Sequence, residues 1–142
     1  MSGATTAKDL RELVAQAIED AGLGTYATTY TGSESWPIHF RKTPATPDVV
    51  LTVSLYSVGR PHLLGVQVRV RGGRNKWTQA EDQAQAVITA LHAYSGSRGS
   101  TQVELVTYQS TAPLGFDSLG REELAVNFHA LLDDAAGALY HD

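Results

Sequence analysis

Apolar positions alternate with polar ones through Leu64-Leu-Gly-Val-Gln-Val-Arg-Val-Arg-Gly-Gly73. Leu64, Val66, Val68 and Val70 fall on one parity, and Gln67, Arg69 and Arg71 on the other. This period of two predicts a β-strand with one dry face and one polar face, ended by the Gly72-Gly73 pair. The strand is taken as the centre of a sheet, and its neighbours follow from the same rule. Val49, Leu51, Val53 and Leu55 share a parity and predict the preceding strand, with a turn region from Ser57 to Leu63. Leu124, Val126, Phe128, Ala130 and Leu132 alternate with Glu123, Asn127, His129 and Asp133 and predict the last strand. Val103 to Ser110 carries apolar residues on both parities, which places it in the interior or under a partner. Residues 101–133 therefore read as one long hairpin, with a glycine-bounded turn from Leu114 to Gly120.

Two stretches have the helical period instead. Leu10, Leu13, Val14, Ala17, Ile18 and Ala21 recur at three and four, after a start at Thr6 and Asp9 and before a stop at Gly22. Trp77, Ala80, Ala84, Val87, Ile88, Leu91 and Tyr94 form a second stripe, with Thr78 and Glu81 at capping-box spacing. Thr25 to Thr31, rich in Thr and Tyr, predicts a further strand closed by Gly32. Residues 32–48 are irregular because Pro37, Pro44 and Pro47 interrupt them. Within them Trp36, Ile38 and Phe40 alternate. The segment reads as an edge strand or an arm, packed on its own core or docked on a neighbouring subunit. Ser95 to Ser100 reads as a flexible link, residues 1–6 as a frayed tail and 134–142 as an acidic tail.

The expectation is an α+β fold in a single domain, 1–142. It has one sheet of about five strands, mostly antiparallel or mixed, and two amphipathic helices packed on it. A chain of 142 residues with 42% hydrophobic and 18% charged residues is long and apolar enough to bury such a core.

Charge narrows the function. Eleven Lys and Arg against fifteen Asp and Glu give −4, which argues against a general nucleic-acid binder. The distribution is uneven: Arg60, Arg69, Arg71, Arg74 and Lys76 cluster, while Asp133, Asp134 and Asp142 make the C-terminus acidic. Arg69 and Arg71 are either the solvated face of their strand or, with Arg74, a basic row that meets an acidic partner. The chain has no cysteine, so disulfides and thiolate metal sites are excluded. No apolar run approaches a membrane span, and the chain reads as soluble and cytoplasmic. His39, His62, His92, His129 and His141 are scattered, with none at metal-ligand spacing from another. Neither a nucleophile elbow, a P-loop nor a dinucleotide fingerprint is present, and the adjacent pairs Glu122-Glu123 and Asp133-Asp134 point to opposite faces of a strand. No catalytic residue, metal ligand or cofactor is assigned.

In order along the chain, Trp36-Pro-Ile-His-Phe-Arg-Lys-Thr-Pro44, Pro47-Asp-Val-Val-Leu51, Gly65-Val-Gln-Val-Arg-Val-Arg-Gly72 and Ser110-Thr-Ala-Pro-Leu-Gly-Phe-Asp-Ser-Leu-Gly-Arg121 resemble the minor capsid, or tail terminator, proteins of long-tailed bacteriophages. The similarity runs over roughly residues 5–132. It implies a non-enzymatic virion protein made in the host cytoplasm. Its copies form a ring, usually hexameric, on the head-proximal end of the tail tube. The ring stops polymerisation of the major tail protein and offers a docking surface to head-completion proteins. DNA passes through the lumen without specific binding. The interface expected on this reading comprises Trp36, Ile38 and Phe40 of the arm, Arg69, Arg71 and Arg74 of the basic row, and Leu114, Phe116 and Leu119 of the hairpin tip. A different head–tail joining subunit and a small-ligand-binding domain are the alternatives.

Overall fold

The computed structural model describes residues 7–27, 29–31 and 34–133. The tails expected over 1–6 and 134–142 lie outside the described residues. One mixed sheet of six strands runs in the order β1-β2-β3-β6-β5-β4. The strands are β1 (Ile38–Phe40), β2 (Val50–Arg60), β3 (Leu63–Arg74), β4 (Gly96–Arg98), β5 (Thr101–Phe116) and β6 (Arg121–Leu132). All pairings are antiparallel except that of β1 with β2. Two helices, α1 (Ala7–Asp20) and α2 (Gln79–Leu91), lie on one face of the sheet. The α+β architecture is as expected, with six strands in place of about five.

The apolar parity of each central strand does what its period implied. Val66, Val68 and Val70 of β3, Leu51 and Val53 of β2, and Val126 and Phe128 of β6 are fully buried with Leu10 and Ile18 of α1 and Val87 of α2. Helix α1 stops as a left-handed glycine dictates: Gly22 has φ +76°. The N–H groups of Leu23 and Gly22 then bond the carbonyls of Ile18 at 3.1 Å and Glu19 at 2.9 Å. Small residues let α2 lie close to β3, since a Cβ on Gly72 would stand 3.1 Å from the Ala80 nitrogen. Beside them, Gln79 at the start of α2 accepts the Gly73 N–H at 2.6 Å. Gly65 sits near the start of β3 because the Tyr56 ring lies over it, within 2.4 Å of where a Cβ would be. Among the described residues no helix is long and apolar enough to cross a membrane.

Four local expectations are corrected. Thr25 to Thr31 makes no strand; among its described residues only Thr25 joins a bridge, to Pro37. Its aromatic residues are used as props instead. Tyr26 stacks on Phe40 with centroids 5.1 Å apart and donates its hydroxyl to Glu12, while Tyr30 stacks on His39 and donates to the Ile38 carbonyl. High strand propensity records how well such side chains pack, and here they pack beside a sheet rather than within it. The supposed flexible link contains β4, which closes on β5 through a turn with Gly99 at φ +59°. Trp77 precedes α2 and does not belong to its buried stripe. Thr78 caps that helix with no side-chain hydrogen bond, so the capping box does not form.

The two-faced apolar pattern of β5 also finds a cause inside the subunit. Val103 pairs with Leu132 and Leu105 with Leu131, so Glu104 is an extra residue and the ladder bulges there. The bulge shifts the parity by one. Val103 before it and Val106 after it are consequently both buried in the one core.

Candidate assembly surface

The face of the sheet away from the helices is polar in its middle and covered at one end. Gln67 donates to Asn127 at 3.1 Å, and Asn127 to Ser110 at 3.4 Å, in a line across β3, β6 and β5. The segment 41–48 folds over the end of the sheet that carries Arg71. It is held there largely through its backbone. Arg71 is buried and donates Nε to the Asp48 carbonyl at 2.8 Å. Its NH2 group reaches the carbonyls of Pro47 at 2.8 Å and Ala45 at 3.4 Å. Arg121 bonds the Ala45 carbonyl at 2.7 Å, the Asp48 carboxylate at 3.2 Å and the Asp117 carboxylate at 2.8 Å.

This arrangement redefines the basic row. Arg71 is neither solvated nor open to a partner; burial, and then the nearby Arg121, push its pKa down. Arg69 donates to the Arg41 carbonyl at 3.2 Å and lies 3.8 Å from Glu123. Arg74 pairs with Asp48 at 3.0 Å and is about half exposed. Alternation identified the polar parity of β3, but the guanidinium groups of Arg69 and Arg71 along it, and of Arg74 beyond it, are occupied by their own chain.

The arm is internal to a similar degree. Ile38 is fully buried in the core. Phe40 is half-buried between Tyr26 and the Arg11 guanidinium, which stands 5.8 Å from its ring centroid. Trp36, at φ +47°, is half-buried and lines a groove of about 560 Å³ with Asn75, Lys76, Trp77 and Gln79. Phe40 borders a second, smaller groove of about 310 Å³ with Tyr26, Tyr30 and His39.

The hairpin tip is different. Leu114, Phe116 and Leu119 are exposed to 53%, 60% and 43%, and Trp77 to 77%. The loop carrying Trp77 reaches the same end of the molecule, since Asn75 donates its N–H to the Gly120 carbonyl at 2.9 Å. Trp77 had no place in the sequence-derived interface. The signal was its position just before the cap at Thr78, outside the helix it was counted in. The remaining large exposed apolar residues among the described ones, Leu105 and Leu131, pair with each other at the opposite end of the hairpin. Single exposed apolar residues are ordinary; here four lie towards one end of the molecule.

Asp117 makes that tip rigid. Its Oδ1 accepts the N–H groups of Leu119 at 2.9 Å and Arg121 at 3.0 Å, while Oδ2 accepts the Arg121 guanidinium. These bonds, the Arg121 backbone N–H foremost, hold its carboxyl below the usual carboxylate range. A carboxylate with a depressed pKa contributes its full stabilisation above the unfolded value of about 4, and loses it as pH falls through the folded value. Asp117→Asn should therefore lower the melting temperature at pH 7 by an amount that shrinks below about pH 4. Melting curves from pH 7 to pH 2 check this; a constant difference would show that the charge plays no part.

Comparison with known proteins bears on what such a surface serves. Residues 17–134 match the model of the family described as bacteriophage tail terminator protein. Among solved structures, a chain from the virion of a native gene transfer agent (GTA) particle superposes with a TM-score of 0.62 at 16% identity, covering 89% of this chain and 96% of that one. A second solved chain gives a TM-score of 0.50 at 15% identity, with coverages of 89% and 91%. At such identities these two show a shared fold. No curated protein sequence matches.

Proposed function

The chain belongs to the bacteriophage tail terminator family, and from that premise we propose that its copies form a ring capping the head-proximal end of the tail tube. Six copies is the number the family resemblance implies. On this reading the protein is a structural, non-enzymatic part of the virion, assembled in the host cytoplasm. It stops polymerisation of the major tail protein and presents its other side to a head-completion protein.

The observation that carries the reading is the exposed apolar tip, Leu114, Phe116 and Leu119 beside Trp77, on a hairpin stiffened by Asp117 and Arg121. A surface that must recognise one end of a polymer gains from being fixed in shape before contact, because less freedom is lost on binding. Trp36, Arg69 and Arg74 stand as secondary contacts, since each retains exposed surface. Arg71 and Ile38 contribute by holding the subunit's shape. The net charge of −4 suits a lumen that DNA crosses without being held.

Electron microscopy of purified tail tubes mixed with the protein tests this. A ring of density on one end only, with elongation arrested, is the expected result. Bare ends and continued growth would overturn it and favour a connector that binds the portal side.

A further inference from the structure

The sheet has two open half-edges, and they complement each other. On one side, β1 covers β2 only from Leu51 to Val53, which leaves Ser54–Arg60 without a strand partner on that side among the described residues. On the other, β4 covers β5 from Thr101 to Val103, and the residues after α2 continue the cover. Ala93 and Tyr94 exchange backbone bonds with Val106, and His92 Nδ1 accepts the Tyr108 N–H. Beyond that point, Gln109–Phe116 has β6 on one side and, among the described residues, no backbone partner on the other. All eight of its residues are exposed.

A monomeric protein usually blunts such edges with charge, proline or bulges. Here Gln109-Ser-Thr-Ala-Pro-Leu-Gly-Phe116 contains no charged residue, and Ser54-Leu-Tyr-Ser-Val-Gly-Arg60 contains only its last, although Pro113 lacks an N–H to pair and the ladders are irregular at Tyr108/Ser110, Pro113/Gly115 and Ser57/Arg60. The two half-edges have nearly the same length. Through the antiparallel pairs β2 with β3, β3 with β6 and β6 with β5, they also run in opposite directions.

We propose that neighbouring subunits join edge to edge, with Gln109–Phe116 of one copy adding as an antiparallel strand to Ser54–Arg60 of the next. The occupant of each open edge is a second copy of this chain. A patch that joins a different patch is heterologous, and repetition of it closes a ring when the rotation between copies divides a full turn. The inference rests on the ring reading above and gives that ring its seam.

The geometry has a further consequence. Ser110 and Ser54 lie level across the sheet, through Asn127 and Gln67. From that level the two open halves extend in opposite directions along the sheet. Pairing them offsets each subunit from the next by about six residues, roughly 20 Å along the strands. A closed ring takes up such a stagger by leaning its strands away from the ring axis, as β-barrels do.

The lack of native cysteine makes the test free of background. Ser57→Cys and Thr111→Cys both alter exposed polar residues in the open halves. Rings of each single variant, of a mixture, and of the double variant would be formed on tail tubes and treated with a short bis-maleimide. We expect a cross-linked dimer from the mixture, a ladder up to the full ring from the double variant, and little product from either single variant. Dimers formed equally well by the single variants, or rings on the tubes that yield no ladder, would overturn the seam and leave the capping function standing. Tubes that carry no ring would overturn both.

Discussion

Replacing Leu114 and Phe116 together by glutamate is expected to abolish capping of tail tubes while leaving the folded subunit almost unchanged. Both side chains are more than half exposed, so the monomer loses little when they change. Surface substitutions of this kind usually cost within about 0.5 kcal/mol each. For a chain of this size, both together shift the melting temperature by only a few degrees, roughly 3–4 °C. In the assembly the arithmetic differs. Central apolar anchors of an interface are often worth 2 kcal/mol or more apiece, about thirtyfold in affinity. A ring repeats the defect in every copy, and the introduced carboxylates would add a desolvation cost at each contact. The measurement is paired: thermal melting of the isolated variant, and the fraction of tail ends that carry density. A variant that folds normally and still caps would remove the tip from the interface.

Removal of the Arg121 guanidinium should produce the largest loss of stability from any single polar residue. Its side chain is only 8% exposed, and it ties together the hairpin turn at Asp117, the Asp48 carboxylate and the Ala45 carbonyl. Arg121→Ala leaves two carboxylates and a carbonyl without their shared donor. Hydrogen bonds to charged groups contribute about 1.5–3 kcal/mol, and breaking a buried ion pair costs about 3–5 kcal/mol. Asp48 and Asp117 retain side-chain exposures of 33% and 37%, so water replaces part of what is lost. The expected decrease is about 2–4 kcal/mol, seen as a fall in melting temperature of roughly 10 °C. Arg121→Lys should recover only a fraction, because one ammonium group lacks the planar fork that serves several acceptors at once. Urea unfolding of wild type and both variants at neutral pH decides it. A loss under about 0.5 kcal/mol would mean that solvent substitutes fully for the guanidinium.

Much of the fold could be read from periodicity, because both periods were pronounced where the core is. The stripe Leu10 to Ile18, the parity of β3 and the hairpin from Thr101 to Leu132 each reflect one face buried against one neighbour. The errors lie where that premise fails. β5 showed apolar residues on both parities because a bulge at Glu104 reverses its faces, and period alone does not distinguish a bulge from two buried faces. Trp77 falls in step with Ala80 and Ala84 but stands before the helix begins.

The candidate site was legible in part. The exposure of Leu114, Phe116 and Leu119 follows from their place around a glycine-bounded turn, where apolar residues have little core to enter. Arg71 was misjudged because its cover, the segment 41–48, is rich in proline and signals only irregularity. What that segment packs on is a long-range fact. Asp48 escapes a sequence reading for a similar reason: its partners, Arg74 and Arg121, meet it only once the sheet has formed, whereas Asp117 pairs with Arg121 four residues on, within the hairpin turn.

The attachment of that segment has a consequence for how the chain can vary. Arg71 grips three main-chain carbonyls, and Arg121 a fourth contact to one of the same set. A peptide oxygen is the same whichever amino acid bears it. Ala45 could become another residue of suitable backbone geometry without loosening the clasp, whereas neither arginine has a substitute with the same reach and fork. Asp48 apart, whose carboxylate serves Arg74 and Arg121, diversity can thus accumulate in the strap at little risk to the fold, and a surface free to drift in this way is one on which a particle can acquire new contacts.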